Sequence, residues 1–100
     1  MSISLAEIRI AKAQTITVTD EALLVDLEDG RTISVPVAWY PRLLHGTSTE
    51  RENWRLIGKG EGIHWPGLDE DISVEDLIAG RPSGESATSF ERWLRNRASH

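Results

Sequence analysis

The stretch ALLVDLEDGRTISVPV, residues 22–37, decides the fold of this 100-residue chain. Apolar and polar residues alternate in both of its halves, which is the pattern of strands that bury one face. Asp29-Gly30 separates the halves and is a strong hairpin signal, so the stretch predicts a β-hairpin. The apolar face of that hairpin consists of Leu23, Val25, Leu27, Ile33, Val35 and Val37.

The apolar pattern also fixes the length of the hairpin loop. A two-residue loop would place Val25 opposite Ser34 and divide the apolar side chains between two faces. A three-residue loop over 28–30 instead places Val25 opposite Ile33. Because a shift of one residue moves every side chain of a strand to its other face, we predict the three-residue loop with Gly30 in the left-handed conformation.

The segments on either side of the hairpin extend the prediction to a larger domain. The sequence AQTITVT (13–19) alternates in the same way, so the N-terminal part is predicted to be a three-strand antiparallel meander. Pro41 and Gly46 suit the start and the end of a short helix. The motif TSTE (47–50) is a capping box that opens a second short helix reaching about residue 54.

The rest of the chain predicts a second hairpin and two further helices. Residues 54–57 and 62–65 have the character of short strands, joined by the glycine-rich turn GKGEG. The motif SVED (73–76) resembles a capping box that opens one helix, and TSFE (88–91) opens the last. The predicted fold class is therefore α+β, with a three-strand meander, short helices, a second β-hairpin and C-terminal helices.

The chain is predicted to divide near residue 82. Residues 1–82 are expected to form the α+β domain, and residues 83–100 a linker and a C-terminal helix. The stretch RPSGES (81–86) has linker composition. Because the apolar stripe of the last helix is narrow, that helix is expected either to dock on the domain or to bind a partner.

Composition limits the classes of protein to which the chain can belong. It has 39% hydrophobic and 27% charged residues, a net charge of −5 and no cysteine. Such a composition is ordinary for a globular protein, excludes disulfides and cysteine nucleophiles, and disfavours nonspecific binding to nucleic acid. No apolar run is long enough to cross a membrane, and the N-terminus lacks the apolar core of a signal peptide, so a cytoplasmic protein is expected.

The three consecutive acids Asp69, Glu70 and Asp71 admit three interpretations. They precede Ser73, so the free amides and the dipole of a helix N-terminus are predicted to hold them. They could also form an acidic surface for a partner, or join His64 in a catalytic or metal site. The chain has neither an HxH nor an HExxH spacing, so no metal, cofactor or catalytic residue is predicted.

Arginines supply the remaining candidates. Arg42 and Arg51 are both candidates for an ion pair with the acidic segment 69–76, which would serve architecture or function. An alternative interface for nucleic acid would use the C-terminal arginines, Arg92, Arg95 and Arg97, helped by Arg51 and Arg55. The predicted partner-binding residues are Arg42, Arg51, His64, Trp65, Asp69, Glu70, Asp71 and Trp93.

Two long stretches resemble a known family. They are DGRTISVPVAWYPRLL (29–44) and NWRLIGKGEGIHWPGLDEDISVEDLIAG (53–80), and they resemble the bacterial domain-of-unknown-function 2442 family over roughly residues 12–82. The resemblance implies a small prokaryotic protein without assigned catalysis. Some members look like one half of a two-gene toxin–antitoxin-like pair. Longer relatives carry a helix-turn-helix, for which this chain has no room after residue 82.

The functional hypothesis that combines these observations is a non-enzymatic binding or regulatory module. The resemblance suggests the antitoxin-like half of a two-gene pair, with a protein partner encoded nearby. Formation of a homodimer is a further expectation. The alternative is a nucleic-acid-binding accessory protein that uses the C-terminal arginines.

Overall fold

The computed structural model describes residues 11–98, and within them the fold consists of two three-stranded antiparallel sheets and short helices. The first sheet contains β1 (Ala13–Val18), β2 (Ala22–Leu27) and β3 (Thr32–Pro36), and the second contains β4 (Arg55–Ile57), β5 (Gly62–Trp65) and β6 (Glu70–Ser73). The helices are α1 (Pro41–Leu44), α2 (Ser48–Glu52), α3 (Val74–Ala79) and α4 (Ala87–Ala98), with 3₁₀ turns at Val37–Trp39 and Gly58–Gly60. The predicted α+β class is confirmed.

The first sheet has the predicted register. Val25 lies opposite Ile33, and Leu23 lies opposite Val35. Gly30 has a φ of 93°, as the three-residue loop requires. Alternate residues of β2 are therefore buried together and form one wall of the core.

The prediction that the three acids lie at a helix start is wrong. Glu70 and Asp71 belong to β6, and Asp69 occupies a left-handed turn with a φ of 50°. Ile72 provides the reason, because it is 4% exposed and pairs with Ile63, which draws this segment onto β5. The second hairpin thereby becomes a three-stranded sheet.

Side-chain caps define the starts of the helices. The predicted capping box is confirmed, because Thr47 Oγ1 accepts the Glu50 N–H at 3.1 Å and Glu50 Oε1 accepts the Thr47 N–H at 2.9 Å. Ser73 Oγ accepts the Asp76 N–H at 3.0 Å at the start of α3. The predicted start of the last helix at Thr88 is wrong, because Ser86 Oγ accepts the Ser89 N–H at 3.1 Å, and α4 begins at Ala87.

The core lies between the two sheets and the short helices. Its largest fully buried side chain is Trp65. The same cluster contains Leu43 of α1, Leu77 of α3, and Leu68 from the turn between β5 and β6. Trp93 of α4 is only partly buried against it. The helix α4 therefore covers the domain from outside and contributes no fully buried side chain among those described.

Gly60 is a position where a small change is expected to disturb the contact between the two sheets. Its φ is 96°, and an added Cβ would lie 2.9 Å from Lys12 Cβ and 3.1 Å from the Ala13 carbonyl oxygen. We expect Gly60→Ala to lower the free energy of unfolding by about 2–4 kcal/mol, the sum of a left-handed alanine and a steric clash.

Gly30→Ala is the matched control for this substitution. Gly30 has a similar φ of 93° but open space around its Cβ position. Its replacement should cost only about 1–2 kcal/mol, the conformational part alone. Urea unfolding of both variants measures the difference, and equal losses would mean that the close approach of Lys12 carries no energetic weight.

Candidate functional site

Arg42 is the centre of the most connected polar cluster in the described residues. It follows Pro41 in α1, and its side chain is 15% exposed. Its Nε donates to both carboxylate oxygens of Glu85 at 3.0 Å, and its Nη1 donates to the carbonyls of Leu68 at 3.2 Å and Asp69 at 3.1 Å. The predicted ion pair with segment 69–76 is present as a 3.9 Å contact with the Asp69 carboxylate, but the closer partner is Glu85, which lies outside that segment.

Glu85 is fixed in its ionised form by this arrangement. Hydrogen bonds from Arg42 hold the pKa of its carboxyl below the usual range, and Ser89 Oγ donates to it at 2.8 Å. The side chain is only 12% exposed. Segment 81–86 is thus attached to the domain at Glu85, although its composition is that of a linker.

A second arginine–glutamate pair holds the other end of α4. Arg97 donates to both oxygens of Glu50 at 2.8 Å, and these hydrogen bonds lower the pKa of Glu50 to about 2. The Trp93 ring contacts both guanidinium groups, with the Arg97 Cζ 4.6 Å and the Arg42 Cζ 5.4 Å from its centroid. We call these five residues, Arg42, Glu50, Glu85, Trp93 and Arg97, the α4 clamp.

Glu70 is half-buried and lies near the charges of Arg42 and Glu85 in this clamp. It is opposite Trp65 on the core-facing side of β6. Burial raises the pKa of its carboxyl to about 7, against the opposing charge of Arg42, while the charge of Glu85 adds to the rise. The neutral form is therefore favoured by the fold.

Glu70→Gln is expected to change how stability depends on pH. Because the pKa rises from 4.5 to about 7 on folding, Glu70 contributes stability that is complete below pH 4.5 and lost as the pH rises through 7. The variant should therefore match the parent at pH 4.5 and exceed it by about 1–3 kcal/mol at pH 8. Urea unfolding at several pH values measures this, with the exposed Glu28→Gln as a control that should show no such divergence.

His64 and Asp71 form a pair on the outer face of the second sheet. The His64 Nδ1 bonds the Asp71 carboxylate across β5 and β6, and Arg55 of β4 lies opposite His64 in the same row. No group of three or more histidine or carboxylate side chains able to hold a metal ion occurs between residues 11 and 98. Of the three acids that were candidates to join His64, Asp71 bonds it, whereas Glu70 lies on the opposite, core-facing side of β6 and Asp69 lies in the turn before that strand.

Two predicted partner-binding residues have side chains that are mostly buried and bonded within the domain. Trp65 is 0% exposed, and its Nε1 donates to the Arg51 carbonyl at 3.1 Å. The Arg51 side chain donates to the carbonyls of Leu43 and Leu44 at 2.8 Å and pairs with Asp20 instead of the acidic segment. Because these side chains hold α1 and α2 together, they offer little surface to another protein.

The three arginines of α4 do not form one basic surface. Arg97 turns toward Glu50, whereas Arg92 and Arg95 are exposed. Arg92 also borders a groove of about 250 Å³ beside the clamp, and its other lining residues are Arg42, Asp69, Ser89, Trp93 and Asn96. Nucleic-acid binding stays a prediction, with Arg92 and Arg95 as its remaining candidates on this helix.

The outer edge of β4 is a feature that sequence reasoning missed. All three of its residues are exposed, and it is an edge strand of the sheet β4-β5-β6. Leu56 and Ile57 are 36% and 38% exposed. Two adjacent apolar residues in one strand point to opposite faces of the sheet. On a sheet with one buried face, at least one of the two must therefore be exposed. The adjacent Leu56 and Ile57 were thus the sequence signal for an exposed apolar strand.

The fold and this geometry define a small α+β domain with two antiparallel sheets and a C-terminal helix held by ion pairs. The chain belongs to the family described as "Protein of unknown function (DUF2442)", whose sequence profile matches residues 13–83. The predicted family is confirmed. No curated protein sequence matches the chain.

Two solved structures are similar in fold. A crystal structure of a protein of unknown function from Rhodospirillum rubrum has 27% identity and a TM-score of 0.64, and the match covers 75% of this chain and 93% of that one. A solution structure of an uncharacterized protein from Chromobacterium violaceum has 17% identity and a TM-score of 0.62, covering 81% and 74%. The second likeness concerns the fold alone.

Among residues 11–98, no helix has both the length and the apolar character that a membrane span needs.

Proposed function

We propose that this protein is a non-enzymatic binding module that accepts an extended segment of a protein partner along the outer edge of β4. The observation that carries the proposal is the exposure of Leu56 and Ile57 on an edge strand. An edge strand presents unpaired backbone N–H and C=O groups, and natural proteins usually protect such edges with charges or bulges. An apolar edge is a ready template for a strand from another chain.

The hydrogen bonds of the charged residues favour a binding role over a catalytic one. Arg42, Arg51 and Arg97 donate to groups of the domain itself, and the carboxylates of Glu50 and Glu85 accept from them. Groups that are used in this way position helices and are not presented to a substrate. Membership of the family does not indicate an activity, because the family is described as one of unknown function.

The partner that fits this proposal best is a protein encoded next to this one. The sequence resembles a family in which some members look like one half of a two-gene, antitoxin-like pair, and this suggests that arrangement. A regulatory role follows if pairing at β4 changes the activity of the partner. The proposal therefore includes the antitoxin-like half of such a pair as its specific form.

Ile57→Lys tests the proposal against a matched control, Leu44→Lys. Ile57 and Leu44 are both 38% exposed, but Leu44 lies on α1. Each variant is co-expressed with the products of the adjacent genes and purified by an affinity tag. We expect Ile57→Lys to lose at least about tenfold in partner affinity, since a charge disrupts the added strand, and Leu44→Lys to retain it. Equal retention by both variants would contradict a site on β4.

A further inference from the structure

We infer that the β4 edge selects a partner strand with an acidic residue beside Arg55 and apolar residues beside Leu56 and Ile57. This inference rests on the proposed function and specifies the partner of the same site. It follows from the three rows of side chains that cross the second sheet, each of which ends at β4 and would continue in a fourth strand.

The first row ends in an arginine that lacks a partner within the described part of the chain. Arg55 lies opposite His64, and His64 lies opposite Asp71. The Asp71 carboxylate bonds His64, and Arg55 makes no ion pair with any residue of 11–98 while being exposed. Directly opposed side chains of neighbouring strands have Cβ atoms about 4.5–5.5 Å apart, so an acidic side chain in a fourth strand would pair with Arg55.

The second row is apolar throughout and is incompletely covered at β4. Ile63 and Ile72 are 0% and 4% exposed, whereas Leu56, which lies in the same row, is 36% exposed. The difference arises because β4 has no neighbour on its outer side among the described strands. An apolar side chain in a fourth strand would cover Leu56 and continue the core.

The third row favours an apolar residue for a different reason. Ile57 lies opposite Gly62, and a Cβ on Gly62 would be 3.0 Å from Ile57 Cγ1. The isoleucine thus lies over a position without a side chain, and it remains 38% exposed. A β-branched partner residue beside Ile57 would cover part of this exposed surface.

A second copy of this chain does not fit the edge. Antiparallel pairing of two β4 strands about Leu56 would place Arg55 of each copy opposite Ile57 of the other, so neither arginine would gain an acid. The partner is therefore another protein, with the order apolar, apolar, acidic if its strand is antiparallel to β4.

Selection from a display library of random heptapeptides on the immobilised full chain tests this specificity. The parent, Arg55→Glu and Ile57→Lys are used in parallel, and circular dichroism confirms that each is folded. We expect the parent to enrich sequences with Asp or Glu next to two apolar residues, by about two- to fivefold for the charge. Arg55→Glu should reverse that choice to Lys or Arg, and Ile57→Lys should enrich none of these peptides.

The possible failures separate the inference from the proposed function. Peptides that depend on Ile57 but show no acidic preference, and no reversal in Arg55→Glu, would overturn the inference and leave the proposed function standing. If the parent enriches nothing beyond Ile57→Lys, both fail. A concentration-dependent dimer of the parent that Ile57→Lys abolishes would place a second copy on this edge and also overturn the inference.

Discussion

Replacement of Arg42 by alanine is expected to lower the free energy of unfolding by about 2–4 kcal/mol and to release α4 from the domain. The change leaves Glu85, 12% exposed, without its cation, and it removes the donor to the carbonyls of Leu68 and Asp69. It also removes one of the two guanidinium groups that contact Trp93. Losses of this size are typical when one partner of a largely buried, hydrogen-bonded ion pair is deleted.

Arg31→Ala is the matched control for Arg42→Ala. Arg31 pairs with Asp29 at 2.8 Å, but the two side chains are 60% and 42% exposed. An exposed pair of this kind contributes under about 1 kcal/mol, so its loss should change the urea midpoint little. The loss of stability in Arg42→Lys should fall between those of the two alanine variants, because lysine keeps the charge but lacks the planar guanidinium group. A loss for Arg42→Ala no larger than that for Arg31→Ala would show that the cluster contributes nothing beyond surface charge.

The release of α4 can be measured directly. The chain contains no cysteine, so spin labels can be attached at Ser48→Cys in α2 and Asn96→Cys in α4 without background. In the parent the distance between the labels should be a single narrow distribution, and in Arg42→Ala it should broaden toward longer distances. A second pair of labels at Ser34 and Ser48 lies within the domain and should not change. A narrow, unchanged distribution for the first pair would mean that Arg97 and Glu50 suffice to hold the helix.

The parts of the fold that could be predicted are those in which neighbouring residues carry the information. The hairpin register follows from the requirement that Val25 and Ile33 share one face, and the structure has that pairing. The capping box at Thr47 likewise depends on atoms only three residues apart. Local chemistry of this kind can be recognised in a sequence without knowledge of the rest of the chain.

The three acids show where local reasoning is insufficient. Asp69, Glu70 and Asp71 precede a genuine helix cap at Ser73, so the capping rule pointed to the right helix. The pairing of Ile72 with Ile63 decided the conformation of the segment, and that contact depends on where β5 lies in space. The free energy gained by burying one isoleucine side chain can exceed the ~0.3–1 kcal/mol by which a helix dipole stabilises a nearby acid.

The partner of Arg42 was beyond sequence reasoning for a similar reason. Glu85 lies 43 residues away in a stretch with linker composition. The attachment of that stretch depends on backbone bonds as well, since the Ser83 N–H donates to the Trp39 carbonyl at 3.0 Å and the Tyr40 hydroxyl donates to the Arg81 carbonyl at 3.0 Å. Composition predicts the flexibility of an isolated segment and carries no information on the surface it meets.

Replacement of Trp65 by alanine is the other change with a large expected effect. Trp65 is 0% exposed, and alanine in its place would leave a cavity in the core at the end of β5 and remove the indole N–H that binds the Arg51 carbonyl. We expect a loss of about 3–5 kcal/mol, which is a large part of the stability of a domain of this size. Urea unfolding followed by circular dichroism measures it.

Two further tryptophan variants distinguish the contributions to stability. One separates the packing of Trp65 from its hydrogen bond, and the other compares Trp65 with the less buried Trp93. Trp65→Phe keeps most of the buried ring and loses the N–H, so it should retain most of the stability that Trp65→Ala loses, with about 1 kcal/mol assigned to the missing hydrogen bond. Trp93→Ala removes a ring that is only partly buried, so it should cost less than Trp65→Ala while broadening the α2–α4 label distance. If Trp65→Ala and Trp93→Ala lower the free energy of unfolding equally, the core would extend under α4. That helix would then contribute to the stability of the domain as a core element, and not only as a cover held by the clamp.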